Sequence, residues 1–185
     1  MRYLLVLTFL LLTACSNNPT KFILAPQAYA APSSSLSQAQ FSLHVVDSRA
    51  MPYTLKVVKK GKGYQLKTSN DLIAHLQATI SQALSQQGAT INSNNTTSVT
   101  IKVAQLQALV QQNTLDHTVT NQVGLTIMIK TDSGKEFTKT YSGDGNVTGP
   151  FKIDIAAVER DLRVLTEQVL GQLLQDTSWQ NFLRS

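Results

Sequence analysis

Apolar residues recur along this chain with two different periods, and each period predicts a different element. Residues 72–84 and 155–173 carry them at the spacing of an amphipathic helix, with one apolar stripe in each segment. Ser69 and Asn70 are placed to cap the first of these helices, and Gly88 is placed to end it. The pattern therefore predicts two long helices, each with one face against a core.

Alternation of apolar and polar residues predicts the strands. The alternating runs are residues 41–47, 53–59 and 64–67, then two long runs on either side of residues 111–113, and finally residues 137–147. Residues 60–63, Lys-Gly-Lys-Gly, predict a hairpin turn, and the long runs are predicted to be bulged near Leu106 and Gly124. The predicted fold class is α+β: a two-layer sandwich whose largely antiparallel sheet of about six strands carries two amphipathic helices on one face.

The beginning of the chain has neither period. Arg2 precedes the apolar residues 3–12, and Leu12-Thr13-Ala14 stands directly before Cys15, the one cysteine in the chain. Such a run is too short for a bilayer-spanning helix of about 20 residues but suits the apolar part of a secretory signal, roughly 7 to 15 residues. Residues 1–14 are therefore predicted to be a lipoprotein signal peptide, and Cys15 the lipidated first residue of the mature protein. Two or more acyl chains would anchor it stably.

Residues 15–39 are predicted to be a flexible tether behind the lipid, because prolines and small polar residues dominate them. Residues 21–26 are the exception, since Phe22-Ile23-Leu24 is apolar enough to dock as a short edge strand. Residues 40–185 then make a single α+β domain of ordinary size. With its one cysteine assigned to the lipid, this domain has neither a disulfide nor a cysteine nucleophile.

The net charge of +5, from 16 basic and 11 acidic residues, is mildly basic and does not indicate a nucleic-acid-binding protein. Its one asymmetry is a group of five lysines with no acidic residue among them. These are Lys56, Lys59, Lys60, Lys62 and Lys67. They predict either a surface for anionic envelope components or an edge strand protected from aggregation by lysines, and both interpretations are open.

Few residues have the spacing that catalysis or metal binding requires. His44, His75 and His117 lack both helical H-x-x-x-H spacing and companion cysteines, and the chain has no G-x-S-x-G or S-x-x-K motif. We therefore expect no enzyme activity, no metal and no other cofactor. Asp47 and Arg49 follow the first strand two positions apart, where they would pair with each other or contact a partner.

The order of several short motifs resembles a known family. The motifs are Leu12-Thr13-Ala14-Cys15, Asp47-Ser48-Arg49, Asp71-Leu72 with Gly88, and Gln175-Asp176-Thr177-Ser178 leading to Phe182. Together they resemble the YajG-type lipoproteins of Gram-negative bacteria. The resemblance implies an outer-membrane lipoprotein of unassigned biochemical role, so it assigns no catalytic residues, and Ser16, in place of Asp after the cysteine, agrees with sorting to that membrane.

These observations lead to one expected function and one alternative. We expect an outer-membrane-anchored lipoprotein whose domain faces the periplasm and acts as a non-catalytic binding or accessory module. Its expected partners are the membrane, through the lipid on Cys15, and an envelope protein, with no nucleic acid. The alternative is a carrier or sensor of an envelope ligand, either a lipid or a glycan fragment, held between the helices and the sheet.

Overall fold

A computed structural model describes residues 21–184, so the predicted signal peptide and Cys15 lie outside the described residues. In this part of the chain there are seven strands: β1 (Gln40–Asp47), β2 (Leu55–Lys59), β3 (Lys62–Leu66), β4 (Thr90–Ile91), β5 (Ser98–Gln112), β6 (Asp116–Lys130) and β7 (Glu136–Pro150). The three helices are α1 (Leu72–Gln86), α2 (Ile155–Gln175) and α3 (Thr177–Leu183). The predicted α+β class is confirmed.

The sheet is mixed and curled, with parallel as well as antiparallel pairs, whereas the sequence predicted a largely antiparallel sheet. Along one side of β5, β1 and β2 lie one after the other, and both run parallel to it. On its other side, β5 pairs antiparallel with β6, which pairs antiparallel with β7. Parallel pairing needs a long crossover, and the segment containing α1 supplies it between β1 and its parallel neighbours β4 and β5. Alternation in the sequence does not reveal the direction of a strand's partner.

The predicted bulge is confirmed. Pairing between β5 and β6 shifts between Val103 and Gln105, and Gly124 lies opposite Gln105. The extra residue changes which positions of β5 face inward, so that both Val103 and Leu106 are buried. One face of β5 therefore stays buried over its whole length, and its apolar residues belong to the core cluster.

The helices begin and end on local signals, with one correction. Asp71, rather than Ser69 or Asn70, caps α1, because its carboxylate accepts a hydrogen bond from the Ala74 N–H at 3.0 Å. Gly88 follows the helix with a φ of +94°, a conformation that glycine adopts without strain, as predicted. Against the sheet, α1 contacts β1 and β4, while α2 contacts β5, β6 and β7.

Residues 21–39, named the strap below, pack on the domain, which corrects the prediction of a flexible tether for this segment. Phe22, Leu24 and Leu36 are fully buried in the core cluster. The strap forms no strand, so the prediction of an edge strand at residues 21–26 is wrong. These residues nevertheless pack on the domain. Overall composition hid this, because three large apolar side chains suffice to hold a segment whose other residues stay polar.

The strap runs between the two long helices. The backbone N–H of Leu24 donates to the Asn70 side chain at 3.1 Å, and the N–H of Ile23 donates to the Glu159 carboxylate at 2.7 Å. Further along, Ala28 bonds Thr79 of α1, and Gln27 bonds Glu167 of α2. The strap therefore follows both helices from their first turns onward, and α1 and α2 begin at the same end of the molecule. The chain enters the domain at this end, the entry end.

Candidate binding groove at the entry end of the sheet

The β2–β3 hairpin presents its lysines through a tight two-residue turn. Lys60 and Gly61 both have positive φ, +49° and +74°, as a turn that matches strand twist requires. Lys59 therefore pairs with Lys62, and Val57 with Tyr64. Because alternate residues share a face, Lys59 and Lys62 stand beside Tyr64 on the side where Val57 is buried.

Gln112, at the end of β5, fixes the neighbouring segment against this hairpin. It pairs in register with Lys59 and is itself buried. Its side-chain amide donates to the carbonyls of Asn113, Asp116 and Phe151 at 3.1, 3.1 and 3.0 Å. Its carbonyl oxygen accepts from the Ile153 N–H at 2.9 Å. The segment between β7 and α2, which carries Lys152, is thereby held next to the hairpin.

These elements enclose a groove of about 520 Å³, the lysine groove. Its lining consists of Val57, Lys59, Lys60, Lys62, Gly63, Tyr64, Gln112, Lys152 and Ile153. Valine, tyrosine and isoleucine supply an apolar floor, and partial burial raises the pKa of the Tyr64 hydroxyl. Within residues 21–184 none of the four lysines makes an ion pair with a carboxylate. The groove combines unneutralised positive charge with apolar surface.

This arrangement suits the binding of an anion that carries an apolar part. Lysine ammonium groups act as mobile point charges toward phosphate or carboxylate, and their attraction weakens with salt. The volume lies in the range of small-molecule sites, about 300 to 1,000 Å³. Among the described residues, no group of three or more His, Cys, Asp or Glu side chains is placed to hold a metal ion.

The structure brings together only some of the predicted lysines. Lys59, Lys60 and Lys62 line the groove. Lys56 pairs with Gln65 and lies one position out of phase, toward the opposite face, while Lys67 follows β3 at its far end. Lys152 was missed, because it lies outside the hairpin sequence and only the register of β2 against β5 brings it near. The sequence feature that could have identified Lys152 is its place between two apolar residues, Phe151 and Ile153, just after β7.

Asp47 and Arg49 form the predicted pair, in a partly enclosed position. Two side-chain hydrogen bonds, at 2.9 and 2.7 Å, and one from the Arg49 backbone N–H, at 3.1 Å, join them, and the Arg49 side chain is only 10% exposed against 38% for Asp47. Arg49 also donates to the Thr54 hydroxyl at 3.0 Å and to the Leu106 carbonyl at 3.3 Å. These bonds from Arg49 hold the pKa of Asp47 below its ordinary value. Arg49 thus clamps β1 and the approach to β2 onto the bulge of β5, and partner contact through this pair stays a prediction.

A second polar cluster joins β7 to the corner between α2 and α3. The Tyr141 hydroxyl donates to Asp176 at 2.6 Å, and the Lys139 ammonium lies 2.5 Å from the same carboxylate oxygen. Burial and this hydrogen bond raise the pKa of Tyr141. Burial alone would raise the pKa of Asp176, but hydrogen bonds from Lys139, Tyr141 and Ser178 lower it well below its ordinary value. Asp176 also caps α3, which carries the buried Trp179.

We expect Asp176→Asn to lower the free energy of unfolding at pH 7 by about 2 kcal/mol, because it weakens charge-assisted hydrogen bonds. The folded-state pKa of Asp176 is depressed, so this stabilisation is present above the unfolded pKa of about 4 and is lost as the pH falls through the folded value. Urea unfolding at pH 7 and pH 3 should therefore show a smaller difference between variant and wild type at pH 3. Asp144→Asn, at an exposed position of β7, is the control. An equal difference at both pH values would contradict the assignment.

Comparison with known proteins decides the family. A family model described as uncharacterized lipoprotein (Lipoprotein_16) matches residues 26–184. The chain belongs to this lipoprotein family. The predicted YajG-type resemblance is thereby confirmed, and no curated protein matches the lipoprotein. In the described part of the lipoprotein, no helix is both long and apolar enough to cross a membrane.

Two solved structures are similar to this lipoprotein at low sequence identity. A Xanthomonas campestris protein of the family DUF330 matches with a TM-score of 0.55 and 16% identity, over 88% of this chain and 98% of that one. A homolog of neuraminyllactose-binding hemagglutinin from Helicobacter pylori matches with a TM-score of 0.35 and 10% identity, over 85% and 88% of the two chains. The first likeness supports the fold alone, and neither brings a ligand to this lipoprotein.

Proposed function

We propose that this lipoprotein is anchored in the outer membrane through Cys15, faces the periplasm, and acts as a non-catalytic binding module whose lysine groove takes an anionic envelope ligand. The family supports a lipoprotein, and nothing in the family or the fold points to catalysis. The observation that carries the proposal is that four lysines from two separate segments, none ion-paired within residues 21–184, converge on one groove with an apolar floor.

A concave groove favours a small anionic group over a broad protein surface, because protein interfaces of ordinary size bury about 800 Å² on each partner. The proposal therefore develops the carrier or sensor alternative but places the ligand elsewhere. That alternative held the ligand between the helices and the sheet, where the core cluster already contains the fully buried side chains of Phe22 and Leu24. The lysine groove is open and unneutralised, and we assign the ligand to it.

The test is a titration of the isotopically labelled chain from residue 15 onward, with Cys15→Ser to remove the lipid. Three soluble probes are added in turn: inorganic phosphate, muramyl dipeptide, and dihexanoyl phosphatidylglycerol below its micelle concentration. At least one should shift the NMR signals of Lys59, Lys62, Tyr64 and Lys152, and high salt should abolish the shift. Lys59→Gln with Lys62→Gln should weaken binding about tenfold or more, and the matched control Lys67→Gln should not.

Failure of all three probes to perturb the groove would contradict the proposed function. Shifts that appear only on adding an acidic protein or peptide would assign the groove to a protein partner instead.

Anchoring is tested separately with Cys15→Ala in cells. Removal of the acylated cysteine should abolish the co-fractionation with outer membranes that resists a high-salt wash, because salt screens charge attraction but does not release acyl chains. Circular dichroism and urea unfolding of the same domain should be unchanged, since the core cluster lies within residues 22–179. Recovery of the variant with outer membranes after the high-salt wash would show that the lipid on Cys15 is not the anchor.

A further inference from the structure

Two large apolar side chains project into solvent beside the lysine groove. Leu115, in the turn between β5 and β6, is 73% exposed, and Phe151, which follows β7, is 71% exposed. They are neighbours, because the Phe151 N–H donates to the Leu115 carbonyl at 2.7 Å. Phe151 directly precedes Lys152 of the groove. Apolar tips and lysines therefore lie side by side at this end of the sheet, as in proteins that dock on the interface of a bilayer.

The backbone holds Phe151 in this position at a conformational cost. Its φ is +59°, a left-handed conformation that residues with large side chains rarely adopt. Gln112 donates to the Phe151 carbonyl, and the His117 ring lies 3.1 Å from the same oxygen. A strained backbone that is fixed from two sides, and that presents an aromatic ring to solvent, is typical of functional sites.

The path of the chain places the lipid at the same end. The Phe22 N–H bonds Ser69, which lies just before α1, and the Ile23 N–H bonds Glu159, which lies near the start of α2. The start of α2 is joined directly to the segment that carries Phe151 and Lys152. Lys21 follows Cys15 by only six positions, and six residues span at most about 20 Å when fully extended. A lipid on Cys15 would therefore keep the entry end close to the bilayer.

We propose that the entry end docks on the membrane that holds Cys15, with Leu115 and Phe151 inserted among the headgroups and the lysine groove on the phosphate of an anionic phospholipid. This inference rests on the proposed function and names the source of its ligand.

Charge at this end agrees with an anionic surface. Four lysines line the groove, and two acidic residues beside it, Asp116 and Asp154, accept hydrogen bonds, as do Asp71 and Glu159 at the starts of the helices. Asp116 accepts from the Asn113 side chain at 2.7 Å, and Asp154 caps α2 through the Ala156 N–H at 3.0 Å. The positive charge of the lysine groove attracts anionic lipid, and this attraction weakens as the salt concentration rises.

The experiment is flotation of the chain from residue 15 onward, with Cys15→Ser, on lipid vesicles. The vesicles consist of phosphatidylethanolamine with or without about 30% phosphatidylglycerol, so that the two sets differ in anionic lipid. Wild type should float only with phosphatidylglycerol, and less at high salt. Leu115→Ser with Phe151→Asn should reduce the partition coefficient at least about tenfold, since each removes an inserted side chain. Asparagine tolerates positive φ, so the fold is retained at position 151. The control is Tyr29→Ser, which removes an apolar side chain of similar exposure, 68%, from the strap.

The outcomes distinguish the proposed function, ligand binding in the lysine groove, from the docking of the entry end on the membrane. If Lys59→Gln with Lys62→Gln abolishes flotation but Leu115→Ser with Phe151→Asn does not, the groove binds lipid and insertion is wrong. If wild type binds a soluble probe yet floats with neither vesicle, docking is wrong and the proposed function stands. If it neither binds a probe nor floats, both are wrong. Loss of flotation in Tyr29→Ser would show that general surface apolarity, rather than this end, governs binding.

Discussion

Phe22→Ala should lower the free energy of unfolding by about 3 to 5 kcal/mol, the cost of deleting a fully buried phenylalanine from a packed core. The Phe22 backbone is fixed by Ser69, 47 residues along the chain, which it bonds in both directions. Loss of the ring leaves a cavity between α1 and α2. Urea unfolding of the chain from residue 15 onward, with Cys15→Ser, measures the effect.

The adjacent residue supplies a matched control. Ile23 is 53% exposed, and its bond to Glu159 comes from the backbone, which Ile23→Ala retains. We expect that substitution to change stability by about 0.5 kcal/mol or less. Equal effects of Phe22→Ala and Ile23→Ala would show that the strap does not pack on the helices, and the tether prediction would return.

Arg49→Ala should lower the free energy of unfolding by about 3 kcal/mol. The substitution removes the donors to Thr54 and to the Leu106 carbonyl, both on buried residues, and leaves Asp47 without its partner. Arg49→Lys keeps the charge but not the planar fork, so we expect it to recover less than half of the loss. Urea unfolding of the three proteins at pH 7 measures both values.

The same variants separate clamping from partner contact. Asp47→Asn should cost only about 1 kcal/mol, because the amide retains one hydrogen bond to Arg49. If Arg49→Ala unfolded like wild type but failed to recover an envelope protein after crosslinking, the pair would serve a partner and the clamp assignment would be wrong.

Local features of this fold were predictable from sequence, whereas its long-range pairings were not. Helix periodicity, Gly88 and the bulge near Gly124 depend on neighbouring residues, and the structure has them where predicted. Strand direction depends on which edge of β5 accepts β1 and β2, and no local pattern encodes that choice. The predicted caps of α1, Ser69 and Asn70, lie two and one residues before the actual cap Asp71, because all three are good capping residues.

The strap and the groove show the same division. Proline and serine content predicted a tether, but burial of Phe22 and Leu24 outweighs the cost of ordering a segment that also bonds both helices. The hairpin lysines were visible as a cluster, yet only three of the five line the groove. Lys152 joins them through the register of β2 on β5 and the hydrogen bonds of Gln112, which are tertiary facts.

The central claim is that the lipid, the lysine groove and the apolar tips share one membrane-facing end. Its most direct test places a fluorescent label at Leu115→Cys or at Ser133→Cys in the lipidated protein. Position 133 lies in the β6–β7 turn, at the opposite end of β6. In phosphatidylglycerol vesicles that contain brominated lipid, the label at 115 should be strongly quenched and the label at 133 should not. Equal quenching at both positions, or stronger quenching at 133, would contradict the account.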